Sequence, residues 1–318
     1  MSTFFSTARF GKPQILAGAL LLIFIAECGW LLAHEKPETI SPYELARIEA
    51  GLDEWHGHGV AGTPLADNRW YWLPASADGY DTEHSPLWYL IGSGPLAIPW
   101  IGGRISPDSS LWVWATHVPY VLLGTLLGAS VWYVARRLYG DTGGYIALGL
   151  YCFSPTVVRA SALWFAPPNV AAVWGTFGGV FTAIAVSHTL YAPREVVLWN
   201  WRRILLLGIS LGLAVGSQFE LAVIVSVLLI FMLYLAPERK SAVVVILAAA
   251  CMIALGIVFA AYFFHARMFW RGVAHARWFD MSWRALAARS AYWQAAREIA
   301  GGGPVLAGLV PASLATYV

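Results

Sequence analysis

A chain of 318 residues in which 58% are apolar, only 12% are charged and the mean hydropathy is +0.61 lies outside the range of soluble globular domains. A formal net charge of +2 argues against a nucleic-acid or acidic-polymer binder, because such proteins carry a basic stripe that neutralises phosphates. The three cysteines, Cys28, Cys152 and Cys251, each stand in an apolar run and define no disulfide framework.

The chain therefore reads as an all-α polytopic membrane protein, a single transmembrane domain over residues 1–318. A helix needs about 20 mostly apolar residues to cross the hydrocarbon core. Residues 14–33 meet that length after Arg9 and Lys12, and no small-residue cleavage site closes the run, which predicts an uncleaved signal anchor with a cytoplasmic N-terminus. Further spans are predicted near 111–135, 143–158, 169–191, 204–217, 219–236 and 241–264. Basic residues collect in short cytoplasmic loops. Arg136 and Arg137, then Arg194, Arg202 and Arg203, then Arg239 and Lys240 fall on the side this rule requires. The basic residues of 265–300, from Arg267 to Arg297, fall on the outer side and predict an interfacial segment facing lipid headgroups.

The outer loop from His34 to His84 holds ten of the eighteen acidic residues and four of the eight histidines, with three basic residues. SPYELARIEAGLDEW opens with Ser41 as N-cap and Pro42 at the first helical position, which predicts a helix with Tyr43 and Arg47 on one face. The following stretch is rich in Gly, Pro and Asp and predicts irregular structure carrying Trp70, Tyr71, Trp72 and Tyr80. As a group these aromatics suit a sugar-stacking surface; singly, each suits an interfacial aromatic belt equally well.

The loop ends at EHSPLWYL, Glu83 to Leu90, and the order of elements from there resembles the GT-C membrane glycosyltransferases, in particular the family 39 protein-mannosyltransferase-like and aminoarabinose-transferase-like enzymes. Those place an H-P-P-L or E-K-P-P-L motif after a large outer loop; here Ser85 replaces one proline. A span ending in A-R-R-L-[FY]-G is matched by Ala135 to Gly140, and a next span ending in S-P by Ser154 and Pro155. The similarity covers about residues 14–235. It implies a GT-C-like helix bundle with a large first extracytoplasmic loop (34–84) and a juxtamembrane segment (85–103). It further implies transfer of a sugar from a polyprenyl-phosphate donor to an acceptor on the outer face of a bacterial inner membrane, the periplasmic side.

On that resemblance the catalytic set is Glu44, Glu83 and His84, and the substrate-contacting set is Tyr43, Arg47, Trp70, Trp72, Arg159 and Asn169. Glu44 takes the place of the family's acidic pair on the first outer helix. Glu83 and His84 stand at the edge of the loop, at the water–lipid boundary, where a carboxylate and an imidazole suit binding a divalent metal ion or positioning the donor phosphate. The other reading is a charge pair that only anchors the segment. Asn169 stands where the family has an Asp, and Gln218 and Glu220 where it has a basic residue, so this chain departs from the family's metal-assisted pattern.

Glu27 lies inside the first span, where a carboxylate marks either a function or a buried partner. His56 and His58 with Asp53 and Glu54 form a second, weaker metal candidate. The apolar run from Pro304 ends at Val318 with no polar flank, which predicts that the natural protein continues. Beside the glycosyltransferase stands a second expectation, a catalytically silent member of the same fold serving as an accessory subunit of a larger membrane complex. A transporter fits less well, since its site belongs at mid-membrane on broken helices rather than in an acidic outer loop.

Overall fold

The structure, a computed structural model, describes residues 12–34, 42–63, 79–102, 109–163, 169–191 and 201–278. Among the described residues, ten helices of eight residues or more carry the architecture: α1 (Lys12–His34), α2 (Pro42–Trp55), α3 (Pro86–Ala97), α4 (Ser110–Cys152), α5 (Pro155–Ala162), α6 (Val170–Thr189), α7 (Trp201–Ser217), α8 (Val223–Leu235), α9 (Lys240–Ala261) and α10 (Ala266–His275). The described residues form no strand. Among the described residues, four helical segments are long and apolar enough to cross a membrane: Gln14–His34, Leu111–Cys152, Val170–Thr189 and Pro237–Ala261. Phe219–Leu235 is a shorter apolar one. This is an all-α membrane protein.

The chain divides into two compact units. The first contains the described residues of 1–35 and 120–170, and the second those of 36–119 and 171–281.

In the first unit, α1 buries a single stripe, Ala17, Phe24, Cys28 and Leu32, while Ile15, Leu16, Leu22, Ile23 and Trp30 stay exposed. A helix apolar all round with only one stripe packed presents the rest to lipid. At about 1.5 Å per residue, its 23 residues span roughly 34 Å, enough for the hydrocarbon core. Helix α4 reverses direction at Gly140, whose φ of 75° is a backbone state that a side chain disfavours. Within this unit its stretches 120–139 and 141–152 form a hairpin, and the Tyr151 hydroxyl donates across it to the Gly124 carbonyl at 2.6 Å.

The span expected over 143–158 is broken. Helix α4 ends at Cys152, Ser154 is extended (φ −80°, ψ 115°), and α5 begins at Pro155. A proline disfavours the helical state of the residue before it and lacks the N–H that would continue the ladder, so Ser-Pro acts here as a helix boundary.

In the second unit, α7 and α9 form the most extensive helix pair, joined by α8 around Leu207, Leu211, Leu228, Met232, Val243 and Leu247. The runs expected at 204–217 and 219–236 are separate elements, divided by a 3₁₀ turn over Phe219–Ala222. Helix α3 starts from Ser85, whose side-chain oxygen accepts from Leu87 N at 3.3 Å, with Pro86 at the first helical position. Its 12 residues reach only about 18 Å, short of a crossing, and it packs on α2, α7 and α9. The α2–α3 contact is close: a Cβ on Gly51 would lie 2.6 Å from the Tyr89 carbonyl oxygen, so only glycine fits. Within the segment expected to be interfacial, α10 is amphipathic. Phe269 and Gly272 are buried, while Arg267, Trp270 and Arg271 are exposed.

Candidate functional site

The motif from Glu83 to Leu90 is organised by a residue that sequence reasoning passed over. Asp81 is 3% exposed, and its carboxylate is the hub of a hydrogen-bond network. Its Oδ1 accepts from the backbone N–H of Glu83 at 2.8 Å and of His84 at 3.1 Å, an Asx-type turn. Its Oδ2 accepts from the Tyr89 hydroxyl and pairs with His84 Nδ1 at 3.2 Å. Burial alone would push the Asp81 carboxyl up, but the His84 hydrogen bond and charge, the Tyr89 hydroxyl and the Glu83 amide outweigh it and hold the group below the ordinary carboxylate range.

The strap from Asp81 to Ser85 is pinned from several directions. Asp81 N donates to the Gly62 carbonyl at 2.7 Å, Arg277 N to the Thr82 carbonyl at 2.7 Å, and Phe219 N to the Glu83 carbonyl at 2.8 Å. Ser85 Oγ donates to the Gly216 carbonyl at 2.7 Å. Arg277 also pairs with Glu220 at 3.4 Å. His84 is thus fixed at its backbone and, through Nδ1, at its ring. The ring stacks on Trp88 at 4.0 Å with an interplanar angle of 13°, and the Arg47 guanidinium lies 4.7 Å from the centre of the same indole.

The structure therefore brings together Arg47, His84, Trp88, Tyr89 and Asp81, and the sequence motifs mark only Arg47 and His84 among them. The signal that marks Asp81 is its place three residues before His84 in a loop that leads into a Ser-Pro helix start, the spacing of an Asx turn. The His84 side chain is 12% exposed, because Asp81 and Trp88 enclose it. Its Nε2 makes no hydrogen bond among the described residues. Glu83 is half-buried, and its carboxylate likewise has no hydrogen bond or ion pair there. Arg47 is 3% exposed over Trp88 rather than open to a phosphate. A desolvated cation–π contact is worth about 2 kcal/mol, similar to a charged hydrogen bond, so Arg47 does not leave Trp88 without cost.

Tyr43 and Glu44 lie in the first turn of α2, and their side chains lie outside the described residues, as do Trp70 and Trp72. Arg159 and Asn169 belong to the first unit, on α5 and immediately before α6. Among the described residues no group of three or more His, Cys, Asp and Glu side chains comes together as a metal site. At the loop edge His84 Nδ1 is engaged by Asp81. In the His56–His58 candidate the rings are 6.1 Å apart and only Asp53 approaches, at 3.8 Å from His58. Glu54 turns away from these histidines into the interior. The described residues do not form a divalent-metal site.

Glu54 has a consequence for stability. It is 2% exposed, Oε2 accepts from Ala61 N at 3.3 Å, and Oε1 has no hydrogen-bond partner among the described residues. Burial pushes its carboxyl up from 4.5 to about 9, against a smaller lowering by the Ala61 amide. The folded state thus binds a proton that the unfolded chain releases between about 4.5 and about 9, and folding stability falls as pH rises through that window. The slope is at most about 1.4 kcal/mol per pH unit. Glu54→Gln, neutral at every pH, is expected to flatten this slope and raise the melting temperature most at the alkaline end. Unchanged pH dependence of melting would show that Glu54 is ionised in the fold.

The chain matches no protein-family model, no curated protein and no solved structure.

Proposed function

We propose that this protein transfers a sugar from a polyprenyl-phosphate donor to an acceptor hydroxyl at the extracytoplasmic face of a bacterial inner membrane, as a GT-C-like glycosyltransferase. The observation that carries the reading is the Asp81–His84 pair. A buried carboxylate bonded to Nδ1 holds an imidazole in one tautomer, leaving Nε2 as the proton acceptor. In the transfer, the acceptor O–H gives its proton to His84 Nε2 and its oxygen bonds to the anomeric carbon. The bond from that carbon to the donor phosphate breaks, and polyprenyl phosphate leaves. The base assigned here is His84, in place of the Glu44 that the family resemblance implies.

The burial of Arg47 against Trp88 favours a second reading, a silent accessory subunit, since that guanidinium is engaged within the fold. Donor binding by the isolated chain, measured beside its native size, separates the two. Binding of a polyprenyl-phosphate sugar by a particle of one chain's mass supports the transferase. Absence of donor binding together with obligate co-purification in a larger membrane assembly overturns it.

A further inference from the structure

A groove of about 630 Å³ lies between α1 and α5 in the first unit, walled by Ile23, Trp30, Phe153 and Val158 and lined as well by Glu27 and Arg159. Its size lies within the range of small-ligand sites. The Cys28 thiol, 3.8 Å from the Val158 carbonyl oxygen, fixes the two helices against one another, so the adjacent residues Glu27 and Arg159 flank the same contact. Glu27 stands seven residues before the end of α1, about 10 Å down the helix and inside the Gln14–His34 span.

Charged side chains within a span cost about 2.5–3.5 kcal/mol each on insertion scales and are almost always paired, or turned to a cavity with a function. Glu27 and Arg159 share a cavity of opposite charges, yet neither makes a hydrogen bond or an ion pair in the described chain. Ile23 and Trp30 at its rim are 43% and 64% exposed on the surface of the same span, so the groove is bordered by surface available to lipid. An anionic lipid such as phosphatidylglycerol would satisfy Arg159 and bring no counter-charge to Glu27. A neutral lipid would satisfy neither. An amphiphile with a phosphate, a primary ammonium and an apolar tail satisfies the guanidinium, the carboxylate and the apolar wall together.

We propose that this groove binds a zwitterionic membrane phospholipid with an ethanolamine-type head, phosphate on Arg159 and ammonium on Glu27, its acyl chain lying along Ile23 and Trp30. The inference is independent of the glycosyl-transfer reading. It is tested by native mass spectrometry of the full chain in detergent, titrated in turn with phosphatidylethanolamine, phosphatidylcholine, phosphatidylglycerol and diacylglycerol carrying the same acyl chains.

Phosphatidylethanolamine is expected to bind about tenfold more tightly than phosphatidylcholine, the equivalent of one charge-assisted hydrogen bond, because the quaternary head has no N–H to donate to Glu27. Glu27→Gln should erase that preference while phospholipids still exceed diacylglycerol. Arg159→Gln should weaken all phospholipids, and Arg159→Lys should restore them in part. Binding of phosphatidylglycerol or diacylglycerol as tight as phosphatidylethanolamine by the unmodified chain would overturn the proposal, as would a preference unchanged in Glu27→Gln.

Discussion

His84→Asn is expected to lower sugar transfer about 10²–10⁴-fold, the usual cost of losing a positioned base, with little change in donor affinity or melting temperature. The choice of Asn matters. Its amide donates to Asp81 from nearly the position of Nδ1, so the Asp81 network keeps that bond, while nothing replaces Nε2 as proton acceptor. The control is Glu44→Gln on the first turn of α2. A loss of the same size in Glu44→Gln with near-normal turnover in His84→Asn would move the base to α2, as the family resemblance implies, and reduce Asp81–His84 to a structural pair. The measurement is single-turnover transfer at saturating donor, which separates the chemical step from binding.

What the sequence made legible follows physical range. The spans that became α1 and α9 are uninterrupted apolar runs, and length alone identifies them. The starts of α2 and α3 were legible because Pro42 and Ser85-Pro86 act within one helical turn. The turn between residues 135 and 143 was legible from the Arg-Arg pair, and Gly140 makes it. The break at Ser154-Pro155 was marked by the Ser-Pro motif as the end of a span, while the hydropathy run, which averages across a boundary that one proline imposes, carried on to 158. The site itself was only half legible. His84 and Arg47 were selected by type and motif, but their partners depend on tertiary contacts: Ser85 bonds to Gly216, 131 positions away, and Phe219 and Arg277 fasten the same strap. A period-based reading has no access to such pairs. It also placed Glu54 beside His56 and His58 because they are neighbours in sequence, whereas the turn after α2 sends the carboxylate inward to Ala61.

Asp81→Ala is expected to destabilise the fold by about 3–5 kcal/mol, the cost of breaking a buried charged network from one side. Four donors lose their acceptor at once: the Glu83 and His84 amides, His84 Nδ1 and the hydroxyl of Tyr89, which is 0% exposed and has no access to water. Asp81→Asn separates this structural role from the chemical one. Its carbonyl oxygen still accepts from the two amides, so melting should fall far less than in Asp81→Ala. Its NH₂ cannot accept from His84 Nδ1–H, so the imidazole turns to the other tautomer and carries its proton on Nε2, where a base is needed. Transfer should then drop about as far as in His84→Asn. The pH dependence has a definite sign. Because the folded Asp81 carboxyl lies below its ordinary value of 3.8, its contribution is fully present above that value and is lost as pH falls through the lower folded value. Asp81→Asn should therefore remove part of the acid sensitivity of melting while Glu54→Gln acts at the alkaline side. If Asp81→Asn retains full transfer with His84 in place, the carboxylate does not set the tautomer, and the strap is a structural clasp rather than the site of proton transfer.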